Sequence, residues 1–201
     1  MAGEGSQTIL MISFLRTTDI FLFHLINGKG QNSFFDWFMP FMTNLNNFIY
    51  VLAALVLWIL WRERKGGVVF VVFVGILLTI TDLFSSFELK DWVGRVRPCH
   101  VLESARLLTD CNNSYSFPSS HAVNIFAAAF FLSQPLKRLS LLFYGIAGVV
   151  GYSRVYIGIH YPLDVIGGAA IGLLIAWPMR WLKDRVLARW ILPRGPEVIR
   201  R

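Results

Sequence analysis

Three short clusters hold most of the side chains in this chain that could do chemistry. The first sets Lys90 ahead of an Arg97-Pro98 pair with six residues between them. The second is Pro118-Ser119-Ser120-His121, and the third opens on Ser153-Arg154 and closes on His160 and Asp164. Together they supply three cations, two imidazoles, several hydroxyls and the start of a helix. Charge-assisted hydrogen bonds from cations, backed by the positive end of a helix dipole, suit a multiply charged oxyanion. Phosphate fits that description.

Each of these residues has a simpler role when taken alone. Lys90 would serve as an interfacial lysine whose stem lies in lipid. Arg97-Pro98 can end a helix, and Ser119 can be the N-cap of a helix beginning near His121. A single histidine such as His160 is more often structural than nucleophilic, and Asp164 can cap a helix. Their joint occurrence at a lipid boundary favours function, because unpaired charge there is expensive and serves a purpose.

The elements that must position these clusters follow from composition. At 55% hydrophobic and 15% aromatic residues, with a mean hydropathy of +0.56 over 201 residues, the chain is too apolar for an ordinary water-soluble domain. A spanning helix needs about 20 mostly apolar residues. Residues 66–87 meet that test best, since the first charge after Lys65 is Asp82. Residues 139–156 and 162–182 follow. Residues 48–61 are apolar but short and recruit part of 38–47, where Pro40, Asn44, Asn46 and Asn47 intervene. Residues 121–133 are also short, which is tolerable if the first turn is buried in protein rather than lipid.

That makes five spans. Residues 8–27 carry Arg16 and Asp19 in their middle, which predicts an amphipathic helix on the interface, with a sixth span as the alternative. No early basic region and no small-residue cleavage site marks a signal peptide. The reading is an all-α polytopic membrane helix bundle of five to six transmembrane helices, forming a single domain over 1–201. It has an N-terminal amphipathic segment (1–33), an external active-site loop (88–120) and a basic cytoplasmic tail (183–201). Gly145, Gly148 and Gly151 on one span, and Gly167, Gly168 and Gly172 on the next, would let helices approach closely.

Orientation follows from the basic residues. Arg62, Arg64 and Lys65 mark one connection, Lys137 and Arg138 a second, and Arg180, Lys183, Arg185 and Arg189 follow the last span. With alternating helices all three groups share one face, which the positive-inside rule makes cytoplasmic. The three chemical clusters then share the opposite face. Lys90, Arg95, Arg97 and Arg106 also lie on that face, against the charge bias, and catalysis would explain them. Cys99 and Cys111 sit in the external loop, where either a disulfide or two free thiols is compatible with an oxidising compartment. With His100 they lack the spaced ligand pairs of a zinc site.

The three clusters resemble the signature of the type 2 phosphatidic acid phosphatases, or lipid phosphate phosphatases, which share a core with vanadium haloperoxidases. That signature reads Lys-x6-Arg-Pro, Pro-Ser-Gly-His and Ser-Arg-x5-His-x3-Asp. The first and third are matched completely, and the second has Ser120 where glycine is usual. The resemblance implies that Lys90, Arg97 and Arg154 bind the phosphate oxygens, joined by Ser119 and the backbone N–H of Ser120. It further implies that His160 attacks phosphorus while Asp164 holds its other ring nitrogen. His121 would protonate the leaving oxygen and then activate water. Neither metal nor cofactor is required on this reading, since three cations do the work of Mg²⁺.

A site at the bilayer surface favours a lipid phosphate substrate, with membrane lipids as surroundings and no nucleic acid as partner. The resemblance points to the bacterial inner membrane with the site facing the periplasm. Undecaprenyl diphosphate is favoured from the compactness of the chain. The 1-phosphate of lipid A, phosphatidylglycerol phosphate and phosphoryl transfer to a lipid acceptor are the alternatives. Charge at the lipid boundary would also suit a lipid scramblase or transporter, but a transport path needs no nucleophile with an orienting acid.

Overall fold

The apolar run after Lys65 forms helix α4 (Lys65–Leu83), which continues through a π-helical stretch (Phe84–Leu89) into the short α5 (Lys90–Val93). Gly94 stops it in the left-handed conformation (φ 62°), donating its N–H to the Lys90 carbonyl at 2.9 Å. Lys90 is thereby placed at the outer end of a long apolar rod. The computed structural model describes residues 2–190, so residues 191–201 of the basic tail lie outside the described residues. Among the described residues the other α-helices are α1 (Ala2–Phe23), which a π-helical stretch (His24–Lys29) continues, α2 (Ser33–Thr43), α3 (Ile49–Glu63), α6 (Pro98–Val101), α7 (Ser120–Leu132), α8 (Ser140–Tyr156) and α9 (Pro162–Trp190).

Among the described residues, five helical stretches are long and apolar enough to cross a membrane: Leu10–Lys29, Leu45–Glu63, Lys65–Val101, Lys137–Tyr156 and Pro162–Arg189. The short α7 stands at the centre of the bundle, packed on α4, α8 and α9, with Ala122, Val123, Ala127, Ala129 and Phe131 buried. Its shortness is tolerable for that reason, since protein rather than lipid surrounds it. Gly168 and Gly172 bring α9 against the Ser119 and Val123 carbonyls of α7 so closely that a Cβ at Gly172 would overlap the latter. Gly145 and Gly148 do not act this way, because both face open space. Large apolar side chains remain outside, Leu141 at 87% and Trp61 at 79% exposure among them, as lipid-facing helices require.

In the N-terminal segment, Leu10–Lys29 has the length and apolarity of a span, which is the second of the two placements expected for residues 8–27. Leu10, Met11, Ile12, Phe14 and Leu15 are all exposed, as are Ser13, Arg16 and Thr17. Asp19, one of the two charges that argued against a span, is instead buried at 1% exposure in an ion pair with Arg95. Residues 45–47 extend the 48–61 run into the stretch Leu45–Glu63, as the expectation that part of 38–47 is recruited requires. α2 holds Pro40 and ends at Thr43, and the Asn44 side chain accepts from the Asn46 N–H to start the turn that leads into α3.

Candidate active site

His160 lies in the turn between α8 and α9, fully enclosed at 1% exposure. Tyr161 caps α9 and Pro162 opens it, placing Asp164 in the first turn. There the Asp164 Oδ2 accepts from the Tyr161 N–H at 2.8 Å, as the acid of a capping box does, while standing 3.5 Å from His160 Nδ1. Asp164 is therefore both a helix cap and the partner of the histidine. Ser116 stands between them, donating to Asp164 Oδ2 at 2.5 Å and lying 3.4 Å from His160 Nδ1. With Nδ1 turned to these groups, Nε2 faces Arg97 Nη1 at 3.3 Å. Burial pushes the His160 imidazole down to about 4, against the opposing pull of Asp164. At neutral pH the ring is uncharged and Nε2 carries a lone pair.

The cations converge on the same face. Arg97, 3% exposed, donates from Nε to the Ser114 carbonyl (2.7 Å), from Nη2 to Ser114 Oγ (2.9 Å) and from Nη1 to the Ile159 carbonyl (3.2 Å). Arg154, from the end of α8, donates to Thr43 Oγ1 at 2.6 Å while its Nε is buried without a partner. Lys90 is buried at 6% exposure within electrostatic reach of Arg97, Arg154 and Asp164. Ser119 begins α7, its N–H donating to the Asp164 carbonyl at 3.0 Å. Its hydroxyl caps nothing and is buried without a partner. Two orphaned donors among three cations are the mark of a site that pairs with an anion.

His121, one residue into α7, is exposed and stands in the field of Arg154, His160, Lys90 and Arg97. The neighbouring Ser120 hydroxyl lies 3.2 Å from that of Ser86. Lys90, Arg97, Ser119, Ser120, His121, Arg154, His160 and Asp164 thus gather on one side of the bundle, although the chain separates the first from the last by seventy-four positions.

The sequence marks Arg95 and Arg106 as surplus cations but not their partners, and it gives no sign of Asn27, Asp36 or Ser116. Arg95 donates to Asp164 Oδ1 at 2.7 Å and to Asp19 Oδ2 at 2.5 Å, with its guanidinium 4.1 Å above the Tyr161 ring. The signals were the surplus arginine in the 88–120 loop and the acid inside an apolar helix. Asn27 is fully buried and bonds the Arg106 carbonyl, the Arg106 N–H and the Tyr156 carbonyl at 2.7 to 2.8 Å. Arg106 in turn pairs with Asp36 at 2.8 Å, and Tyr156 donates to the same carboxylate at 2.6 Å. The Tyr156 hydroxyl, then Arg106, holds the Asp36 carboxyl below the usual range. No local pattern distinguishes Asn27 or Ser116 from other polar residues near helix ends.

Cys99 and Cys111 are joined in a disulfide that closes the segment after Arg97. Because each sulfur is bonded to the other, neither is a free thiolate for a metal, although His100 is adjacent.

Comparison with known proteins agrees with this geometry. The PAP2 superfamily model matches residues 68–187. A lipid A 4'-phosphatase from Bacteroides thetaiotaomicron is 31% identical over 188 residues, covering 89% of this chain and 83% of the relative. An undecaprenyl-diphosphatase from Sulfolobus acidocaldarius is 31% identical over 78% of this chain and 74% of its own. The crystal structure of Aquifex aeolicus LpxE superposes with a TM-score of 0.65 at 28% identity, covering 81% of this chain and 94% of that one. With a family model over more than half of its length and a relative aligned along most of it, the chain belongs to the PAP2 superfamily.

Proposed function

We propose that this integral membrane protein is a lipid phosphatase that passes the phosphoryl group of a lipid head group to His160 and then to water. The observation that carries the reading is the pose of His160, with Nδ1 toward Asp164 and Nε2 toward Arg97. Nε2 attacks phosphorus in line, forming the P–N bond as the bond to the head-group oxygen breaks. His121 gives that oxygen its proton. Water then attacks phosphorus, His121 takes the proton back, and the P–N bond breaks to release inorganic phosphate. Lys90, Arg97 and Arg154, with Ser119 Oγ and the Ser120 N–H, hold the transferring oxygens and stabilise their charge. The cation set supplies the charge neutralisation that Mg²⁺ provides elsewhere, so turnover needs no metal.

The basic connections favour a bacterial inner membrane setting with the site on the periplasmic face. Among lipid phosphates, the names of the relatives span lipid A phosphatases and an undecaprenyl-diphosphatase. The test of the reaction is phosphate release from lipid phosphates in detergent, together with trapping of the intermediate. His160→Ala should release none and form no acid-labile, base-stable phosphoprotein, whereas His121→Ala should accumulate that species from an aryl phosphate whose leaving oxygen needs no proton. Turnover by His160→Ala within tenfold of the wild type would reject the mechanism.

A further inference from the structure

One polar pair near the site has no part in phosphoryl transfer. Asp82 lies near the outer end of α4 with its side chain exposed, and Asn124 of α7 donates to its Oδ1 from Nδ2 at 3.3 Å. Asn124 follows His121 by three residues, so the two share one face of α7. The other amide atom of Asn124, the Oδ1, is buried and accepts no hydrogen bond. An ionisable side chain at the lipid boundary and an orphaned acceptor beside it both call for a partner.

Their position says which part of a substrate they meet. On the proposed mechanism His121 protonates the leaving oxygen, so the group attached to that oxygen extends along the His121 face of α7. There it meets the Asp82 carboxylate, the Asn124 carbonyl and the Ser86 and Ser120 hydroxyls, which lie 3.2 Å apart. The surrounding arginines are committed elsewhere. Arg97 is tied to Ser114 and Ile159, Arg154 to Thr43, and Arg95 to Asp19 and Asp164. Lys90 feels the charge of Asp82, and Lys90 also faces the transferring phosphate. The transferring side is thus cationic, while the leaving side is acidic and rich in acceptors.

Resting on that reading of His121, we infer that Asp82 and Asn124 form a leaving-group subsite selecting a phosphate monoester whose leaving oxygen is borne directly by a hydroxyl-bearing sugar or glycerol. Hydroxyls donate to the carboxylate and to the free amide carbonyl in charge-assisted and neutral hydrogen bonds. A lipid diphosphate is disfavoured, because its leaving group is itself a phosphate and would be driven against the Asp82 carboxylate. This selects against the undecaprenyl diphosphate that chain length alone favours.

The experiment measures kcat/KM in detergent for four lipids: a phosphorylated glucosamine lipid, phosphatidylglycerol phosphate, phosphatidate and undecaprenyl diphosphate. The first two separate sugar from glycerol, and phosphatidate is a monoester whose leaving group has no hydroxyl. The wild type should prefer at least one hydroxyl-bearing monoester over both phosphatidate and the diphosphate by about tenfold or more, the scale of one poorly screened like charge near a surface. Asp82→Asn keeps the shape and the contact to Asn124 but removes the charge, and should raise diphosphate turnover relative to the monoesters by on the order of tenfold. Asn124→Ala should narrow the preference for hydroxyl-bearing lipids over phosphatidate. A wild type that prefers the diphosphate, or an Asp82→Asn variant that slows all four lipids equally while still forming phosphohistidine, would overturn the subsite and leave the phosphatase reading intact. Absence of both phosphate release and phosphohistidine with every lipid would overturn both.

Discussion

Arg95 donates from Nη1 to Asp164 Oδ1 at 2.7 Å, so the acid beside His160 is held from the side away from the histidine. Its second terminal nitrogen is bound by Asp19 of α1, whose other oxygen accepts from the Leu163 N–H at 2.9 Å. The N-terminal helix is thereby coupled to the start of α9 through one guanidinium. Fork geometry matters here, because two carboxylates are bridged at once. Arg95→Lys should lower kcat by about a hundredfold, the usual consequence of misplacing a reacting group by an ångström, with KM much less affected. Steady-state kinetics on a lipid phosphate check this, and a wild-type kcat for Arg95→Lys would contradict it.

The disulfide between Cys99 and Cys111 bears on Arg97. Arg97 lies two residues before the bridge and binds Ser114, three residues beyond it. Closing a loop of this size contributes about 3 kcal/mol in the chain-entropy model. The Cys99→Ser, Cys111→Ser double variant should melt several degrees lower in detergent and show a raised KM, as should the reduced wild type. Melting and KM unchanged by dithiothreitol would show that the bridge does not hold Arg97.

Burial of His160 has a pH consequence of definite sign. The unfolded chain takes up this proton near pH 6.5, whereas the folded imidazole, lowered to about 4, resists it. Between those values the unfolded state binds more protons, so the contribution of His160 to stability falls as pH drops from about 6.5 to 4. The nucleophile stays uncharged through the same window. The rate of phosphoenzyme formation, followed by rapid quench on an activated aryl phosphate, should therefore show its lowest acidic break near pH 4. A single break near 6.5, with none below, would assign the nucleophilic ring an ordinary environment.

Asn27, in the π-helical stretch that follows α1, binds the Arg106 segment and the end of α8 through three bonds from one buried amide. Asn27→Ala strands buried donors and acceptors and should cost about 3 kcal/mol, read as a lower melting temperature in detergent. Asn27→Asp should fare no better, because a carboxylate cannot donate to the two carbonyls. An Asp variant as stable as the wild type would mean that those carbonyls find other donors.

Much of this protein is already determined along the chain. The apolar runs define the main spans because lipid admits only segments that satisfy their own backbone and present apolar side chains. The basic connections orient them for an equally local reason. The spacing within each cluster carries the candidate site, since His160 and Asp164 are one turn apart and Ser119 to His121 occupy one helix start. Tertiary structure decided everything that depends on a side chain choosing a distant partner. Asp19 reads as a polar interruption of an apolar helix until Arg95 meets it and encloses its charge in an ion pair. Ser119 looks like a cap until its hydroxyl is found unbonded beside the cations. Asp82 and Asn124 have no common pattern in the sequence, and only the packing of α4 on α7 brings them together, about one turn along α7 from His121. Periodicity is written in neighbouring residues, whereas charge pairing across helices is written only in their contacts.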